Sequence, residues 1–92
     1  MTVFDQIVVK IIQQQEAIIG PVAVDQAKQV KGMKIDWDKK EVNISGDPQK
    51  ALDDLVEQYK VLFGQIAVET CKEAASKLLP SIPADQHPKS LK

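Results

Sequence analysis

Between Asp47-Pro48 and Pro80 the chain carries no other proline, and its apolar residues recur every three or four positions. Leu52, Leu55, Val56, Tyr59, Leu62, Phe63, Ile66, Ala67, Cys71, Ala74 and Leu78 form that series, which is the signature of an amphipathic helix. A carboxylate at the cap followed by proline at the first position is a strong helix start. The spacing therefore predicts one helix of roughly 30 residues, about 45 Å long at 1.5 Å per residue. A compact chain of 92 residues is only ~30 Å across. Either the helix bends near Gly64 or a second chain covers its overhang, and we favour the second chain.

Upstream, Thr2 can cap a helix beginning at Val3, with Asp5 completing a capping box. Phe4, Ile7, Val8, Ile11, Ile12, Ile18 and Ile19 give this helix its apolar stripe. Gly20-Pro21 reads as a stop followed by a new start, and a short second helix is expected from about Pro21 to Val30. The period then changes to two. Met33, Ile35 and Trp37, then Val42 and Ile44, alternate with polar residues, predicting a β-hairpin with its tip at Asp38–Lys40. The tail from Pro80 to Lys92 holds three prolines and few apolar groups, so it is expected to be flexible. No internal repeat is evident. The expectation is an α+β, mainly helical fold: residues 1–79 form one domain of two N-terminal helices, a β-hairpin and a long C-terminal amphipathic helix, and residues 80–92 form a Pro-rich tail.

Composition narrows the functional classes. All 12 basic residues are lysine, against 13 acids. Lysine cannot reproduce arginine's bidentate fork to phosphate or guanine, which argues against nucleic acid as a partner, as does the near-neutral balance. An anionic membrane surface would find little to attract it. Cys71 is the single cysteine, so no internal disulfide can form. No basic segment precedes the first apolar run and no stretch is long enough to span a bilayer, so a cytoplasmic protein is expected.

Candidate chemistry is sparse. Cys71 lies on the apolar stripe and His87, the single histidine, lies in the tail. A reactive thiolate needs a base or positive surroundings, so Cys71 reads as a small core residue. One cysteine and one histidine cannot supply the four ligands zinc prefers. Asp36, Asp38 and Glu41 resemble a fragment of a calcium loop, but Lys39 and Lys40 intrude and no central glycine is present. Asp53 and Asp54 read as acids in the first turn of a helix, where the macrodipole favours them. Gly20, Gly32, Gly46 and Gly64 are too scattered for a phosphate loop. No catalytic, metal or cofactor site is therefore expected.

Small residues at Gly64, Ala67, Cys71, Ala74 and Ala75 form a seam that would let another helix approach closely, within the chain or across a dimer. Ile19-Gly20-Pro21-Val22-Ala23, with Asp47-Pro48 and a helix bearing Leu55, Val56 and Tyr59, resembles small helical "IGPxA" domains appended to bacterial signalling proteins. That resemblance implies an association or regulatory module and carries over no catalytic residue. The leading expectation is thus a non-enzymatic protein-interaction or regulatory module. It would be homodimeric through Leu55, Tyr59, Leu62, Phe63, Ile66, Ala67, Cys71 and Ala74. The competing expectation is a small-ligand sensor with an apolar pocket between hairpin and helices, walled by Tyr59 and Trp37.

Overall fold

Thr2 opens the fold as its spacing from Asp5 anticipates. The Thr2 hydroxyl accepts from the Asp5 N–H at 3.2 Å, and the Asp5 carboxylate accepts from the Thr2 N–H at 3.0 Å. The computed structural model describes residues 2–91. Helix α1 (Val3–Ile19) leads into α2 (Val22–Ala27). Strands β1 (Met33–Asp36) and β2 (Glu41–Ile44) follow, paired antiparallel with Met33 opposite Ile44 and Ile35 opposite Val42. Period-two alternation puts those four side chains on one face, and Met33 and Val42 are buried there. The fold is α+β and mostly helical, as the residue pattern predicts.

The single long helix does not form. Gly64 divides it into α3 (Pro48–Phe63) and α4 (Gln65–Ala75). Gly64 takes φ 80° and ψ −168°, a region open to glycine and closed to almost everything else. Its N–H still donates to the Lys60 carbonyl at 2.8 Å, while its own carbonyl accepts from the Ala67 N–H at 3.1 Å. One glycine thus closes one helix and opens the next. The break lets α4 pack on both α1 and α3. The molecule measures 32 × 27 × 21 Å, too short for a ~45 Å rod, so no overhang calls for a second chain.

Gly20 makes the same turn. Its φ is 78° and ψ −163°; its N–H donates to Glu16 at 2.8 Å and its carbonyl accepts from Ala23 at 3.1 Å. The local sequences match as well: Ile18-Ile19-Gly20-Pro21-Val22-Ala23-Val24-Asp25 against Leu62-Phe63-Gly64-Gln65-Ile66-Ala67-Val68-Glu69. This corrects the reading that the chain has no internal repeat. Counterparts are 44 positions apart, and the core follows the same offset. Ile7, Val8, Ile11 and Ile12 in α1 are buried, and so are Ala51, Leu52, Leu55 and Val56 in α3. Ala23, Val24 and Ala27 in the second helix match buried Ala67, Val68 and Cys71.

The segment after Pro80 is not a free tail. Ile82, Pro88 and Leu91 are buried, and short 3-10 turns at Leu79–Ser81, Ala84–Gln86 and Lys89–Leu91 carry the chain over α3 and α4. The His87 Nε2 lies 2.9 Å from both the Leu79 and Ile82 carbonyls, and the Gln49 amide donates to the His87 carbonyl at 2.8 Å. Three prolines set the backbone angles of this segment without preventing it from packing.

Candidate interaction surface

The two helix–glycine–helix units hold each other by a reciprocal pair of buried contacts. The Tyr59 hydroxyl, five residues before Gly64, donates to the Ala23 carbonyl at 2.6 Å, three residues after Gly20. The Gln15 amide, five residues before Gly20, donates to the Ala67 carbonyl at 3.3 Å, three residues after Gly64. Tyr59 and Gln15 are counterparts, and so are Ala23 and Ala67. When residue i meets j and the counterpart of j meets the counterpart of i, the relation is that of a two-fold axis. Each bond ties a long helix near its C-terminus to the first turn of the other unit's second helix. Both glycine turns therefore lie at one end of the molecule.

That end is where apolar surface remains uncovered. Among the described residues the large hydrophobics left exposed are Ile18 (59%), Val22 (39%), Val61 (74%), Leu62 (48%) and Ile66 (75%). All five lie within three residues of Gly20 or Gly64. Ile18 and Leu62 are counterparts, as are Val22 and Ile66.

Of the eight positions expected to form an interface, the structure places Leu55, Tyr59, Ala67 and Cys71 in the chain's own core. Phe63 and Ala74 are partly buried against that core. Leu62 and Ile66 alone stand at the surface. The small-residue seam at Ala67, Cys71 and Ala75 is therefore filled from within, by α1. Sequence reasoning missed Ile18, Val22 and Val61. The signal that would have found two of them is the match between the two glycine segments, which gives Ile18 and Val22 the environments of Leu62 and Ile66.

Cys71 has no reactive setting. Burial pushes its thiol up to about 11, opposed by the hydrogen bond from the Gln15 amide. Burial also raises the Tyr59 hydroxyl, aided by the charges of Cys71 and Glu16. Both groups ionise later in the folded chain than in the unfolded one. The stabilisation is complete below about pH 9 and is lost as pH climbs through about 11. Urea melts are expected to give constant stability from pH 7 to 9, then a fall of about 2–3 kcal/mol by pH 11, since a tenfold change in an ionisation constant is worth ~1.4 kcal/mol. Cys71→Ala removes the thiol's share. Alkylation of native protein at pH 7.5 is expected to proceed only at the global unfolding rate, and fast labelling would contradict this burial.

Asp53 and Asp54 do not sit in a first turn, because α3 already starts at Pro48 and its first turn holds no acid. Other candidates also resolve into structure. The Trp37 indole donates to the Glu16 carboxylate at 3.1 Å, with the Lys40 ammonium 4.2 Å from its ring centroid, so it pins the hairpin to α1. The groove beside the hairpin is walled by Thr2, Asp5, Lys34, Asp36, Glu41 and Asn43. Ile35 and Val42 add an apolar floor to that mostly polar wall, and neither Tyr59 nor Trp37 lines it. Two further open grooves obey the repeat. Asp54, Glu57 and Gln58 with Gln29, Val30 and Gly32 line one of about 560 Å³; Lys10, Gln13 and Gln14 with Glu73, Ala74 and Ser76 line the other, of about 570 Å³. Among the described residues no three His, Cys, Asp or Glu side chains gather as a metal site, and no helix is long and apolar enough to cross a membrane. Comparison of the chain with family models, curated proteins and solved structures finds no match.

Proposed function

We propose that this chain is a non-enzymatic protein-interaction module that associates with itself through the apolar end carrying its two glycine turns. The observation that supports the reading is the gathering of all five exposed large hydrophobics within three residues of Gly20 or Gly64. Isolated exposed aliphatics are ordinary, whereas several gathered at one end of a small domain favour a contact surface. Buried polar groups support the same reading: Tyr59 and Gln15 satisfy each other's units and face no open site. The resemblance of Ile19–Ala23 to appended signalling domains is likewise to association modules.

Native mass by light scattering at low and high micromolar concentration tests the reading. Wild type is expected to shift towards twice the 10.2 kDa chain mass as concentration rises. Leu62→Asp is expected to stay at one chain mass with an unchanged helical spectrum, because its side chain is half exposed. A wild type of one chain mass at every concentration removes the proposal.

A further inference from the structure

The register of the hairpin decides where each of its backbone groups points. The Ser45 N–H donates to the Gly32 carbonyl at 2.6 Å, one step before the Met33–Ile44 pair. Bonded and non-bonded pairs alternate along an antiparallel ladder. Lys34–Asn43 and Asp36–Glu41 are therefore the bonded pairs, while Met33 and Ile35 turn their backbone groups to the other side of β1. Met33 gives its N–H to the Val30 carbonyl at 3.4 Å. The Met33 carbonyl and both backbone groups of Ile35 meet no other backbone group among the described residues. Helix α1 packs on β2, so β1 is the outer edge of the two-stranded sheet. We infer that this edge docks an extended peptide of another protein, added antiparallel to β1, with a base opposite Asp36 and an acid opposite Lys34. The inference goes beyond self-association and uses none of the five exposed aliphatics near Gly20 and Gly64.

Strand addition takes its affinity from main-chain bonds and its selectivity from alternate side chains. A residue set opposite Ile35 exchanges two backbone bonds with it, the arrangement of a bonded antiparallel pair. Lys34 and Asp36 are exposed, and neither meets an opposite charge across the ladder. Lys34 faces Asn43, and Asp36 faces Glu41, a second acid. Among the described residues no ion pair includes either of them. Like charges directly opposite are unfavourable and unlike ones favourable. A base beside Asp36 therefore offsets its repulsion from Glu41, and an acid gives Lys34 the partner that β2 withholds. Charged edges also resist indiscriminate pairing, which restricts the added strand to that order of charges. The residue opposite Ile35 points to the same face as Ile35. Ile35 is only partly buried there and, with Val42, floors a groove of about 780 Å³. An aliphatic side chain at that place completes its cover. Because paired residues share a face, a second copy of the chain would bring its own helices to the side where α1 already lies. A peptide brings only a strand.

The probe is a peptide carrying valine, lysine, valine, glutamate and valine, in that order, between glycine–serine flanks. Laid antiparallel on β1, its middle valine meets Ile35, its lysine Asp36 and its glutamate Lys34. Amide exchange of the full chain is followed by NMR as the peptide is added. Exchange of the Ile35 amide is expected to slow about tenfold at saturation, as an exposed edge amide gains a partner. The same peptide with lysine and glutamate interchanged is expected to bind about fivefold more weakly. In the double variant Lys34→Glu, Asp36→Lys, at two exposed positions, the preference between the two peptides is expected to reverse. An Ile35 amide that exchanges unchanged at millimolar peptide overturns the docking edge. Equal binding of the two peptides, or a preference that the double variant keeps, overturns the charge register. Protection of Ile35 that grows with chain concentration in the absence of peptide gives the edge to a second copy and overturns the peptide as its occupant.

Discussion

Tyr59→Ala is expected to lower the unfolding free energy by about 3–5 kcal/mol, as for other large aromatic-to-alanine changes in cores. A domain of 92 residues has about 5–15 kcal/mol to lose, so the variant should melt far below wild type. Tyr59 is the largest fully buried side chain, and its hydroxyl reaches across to the first turn of α2. Its removal therefore opens a cavity and cuts one of the two cross-unit bonds. Tyr59→Phe keeps the ring and loses only the 2.6 Å hydrogen bond to Ala23, which should cost about 1 kcal/mol because the carbonyl keeps a second lone pair for its helix. Urea denaturation of both variants checks the split. A Tyr59→Ala loss below about 1.5 kcal/mol would be too small for a keystone at that position.

The second large effect concerns the turns. Alanine at Gly20 or at Gly64 meets no atom within 4 Å of its new Cβ, so sterics with neighbours contribute nothing. The cost is that of holding a non-glycine residue near φ 80° and ψ −165°, about 1–3 kcal/mol at each site. The sites bear no shared side-chain contact, so the double variant should lose roughly 2–6 kcal/mol, near the sum. Gly64→Ala has a second outcome. Straightening at that position yields the single ~30-residue helix that the apolar spacing permits, and such a rod can be buried only by exchange with another chain. Thermal melts combined with native mass over a dilution series separate the two: simple destabilisation lowers the melting temperature and leaves the concentration dependence of wild type, whereas straightening by exchange holds two chains together at dilutions where wild type is single. A Gly64→Ala variant with wild-type stability and mass would mean that the turn does not need its positive φ.

Much of this architecture is legible from particular residues. The capping box of Thr2 and Asp5, the stop at Gly20-Pro21, the alternation from Met33 to Ile44 and the start at Asp47-Pro48 are local chemistry, and each element forms where those residues place it. Gly64 is the hard position. Gly20 is followed by proline, whereas Gly64 is followed by Gln65, and the three–four spacing of Leu62, Phe63, Ile66 and Ala67 continues through it. Periodicity alone cannot distinguish a helix that runs on from one that folds back and buries the same residues on a neighbour. The C-terminal segment is opaque for a related reason: Ile82, Pro88 and Leu91 are too few to show a period, and their burial depends on α3 and α4 already being in place. As for the surface, burial is a tertiary property. Leu55, Leu62 and Cys71 share one stripe in the sequence, and only the fold decides that Leu62 faces water.

Two parts of the molecule lack a counterpart. After the first unit the chain turns into the β-hairpin, strapped to α1 by Trp37 and Glu16; after the second it becomes a proline-bearing strap over α3 and α4, held by Gln49 and His87. These appendages tell the two halves apart, giving an otherwise ambidextrous body a front and a back. The loop at residues 37–40 and the strap at 83–88 can thus acquire new lengths or chemistries as grafts, while the paired helices that carry them go on closing around the same seam.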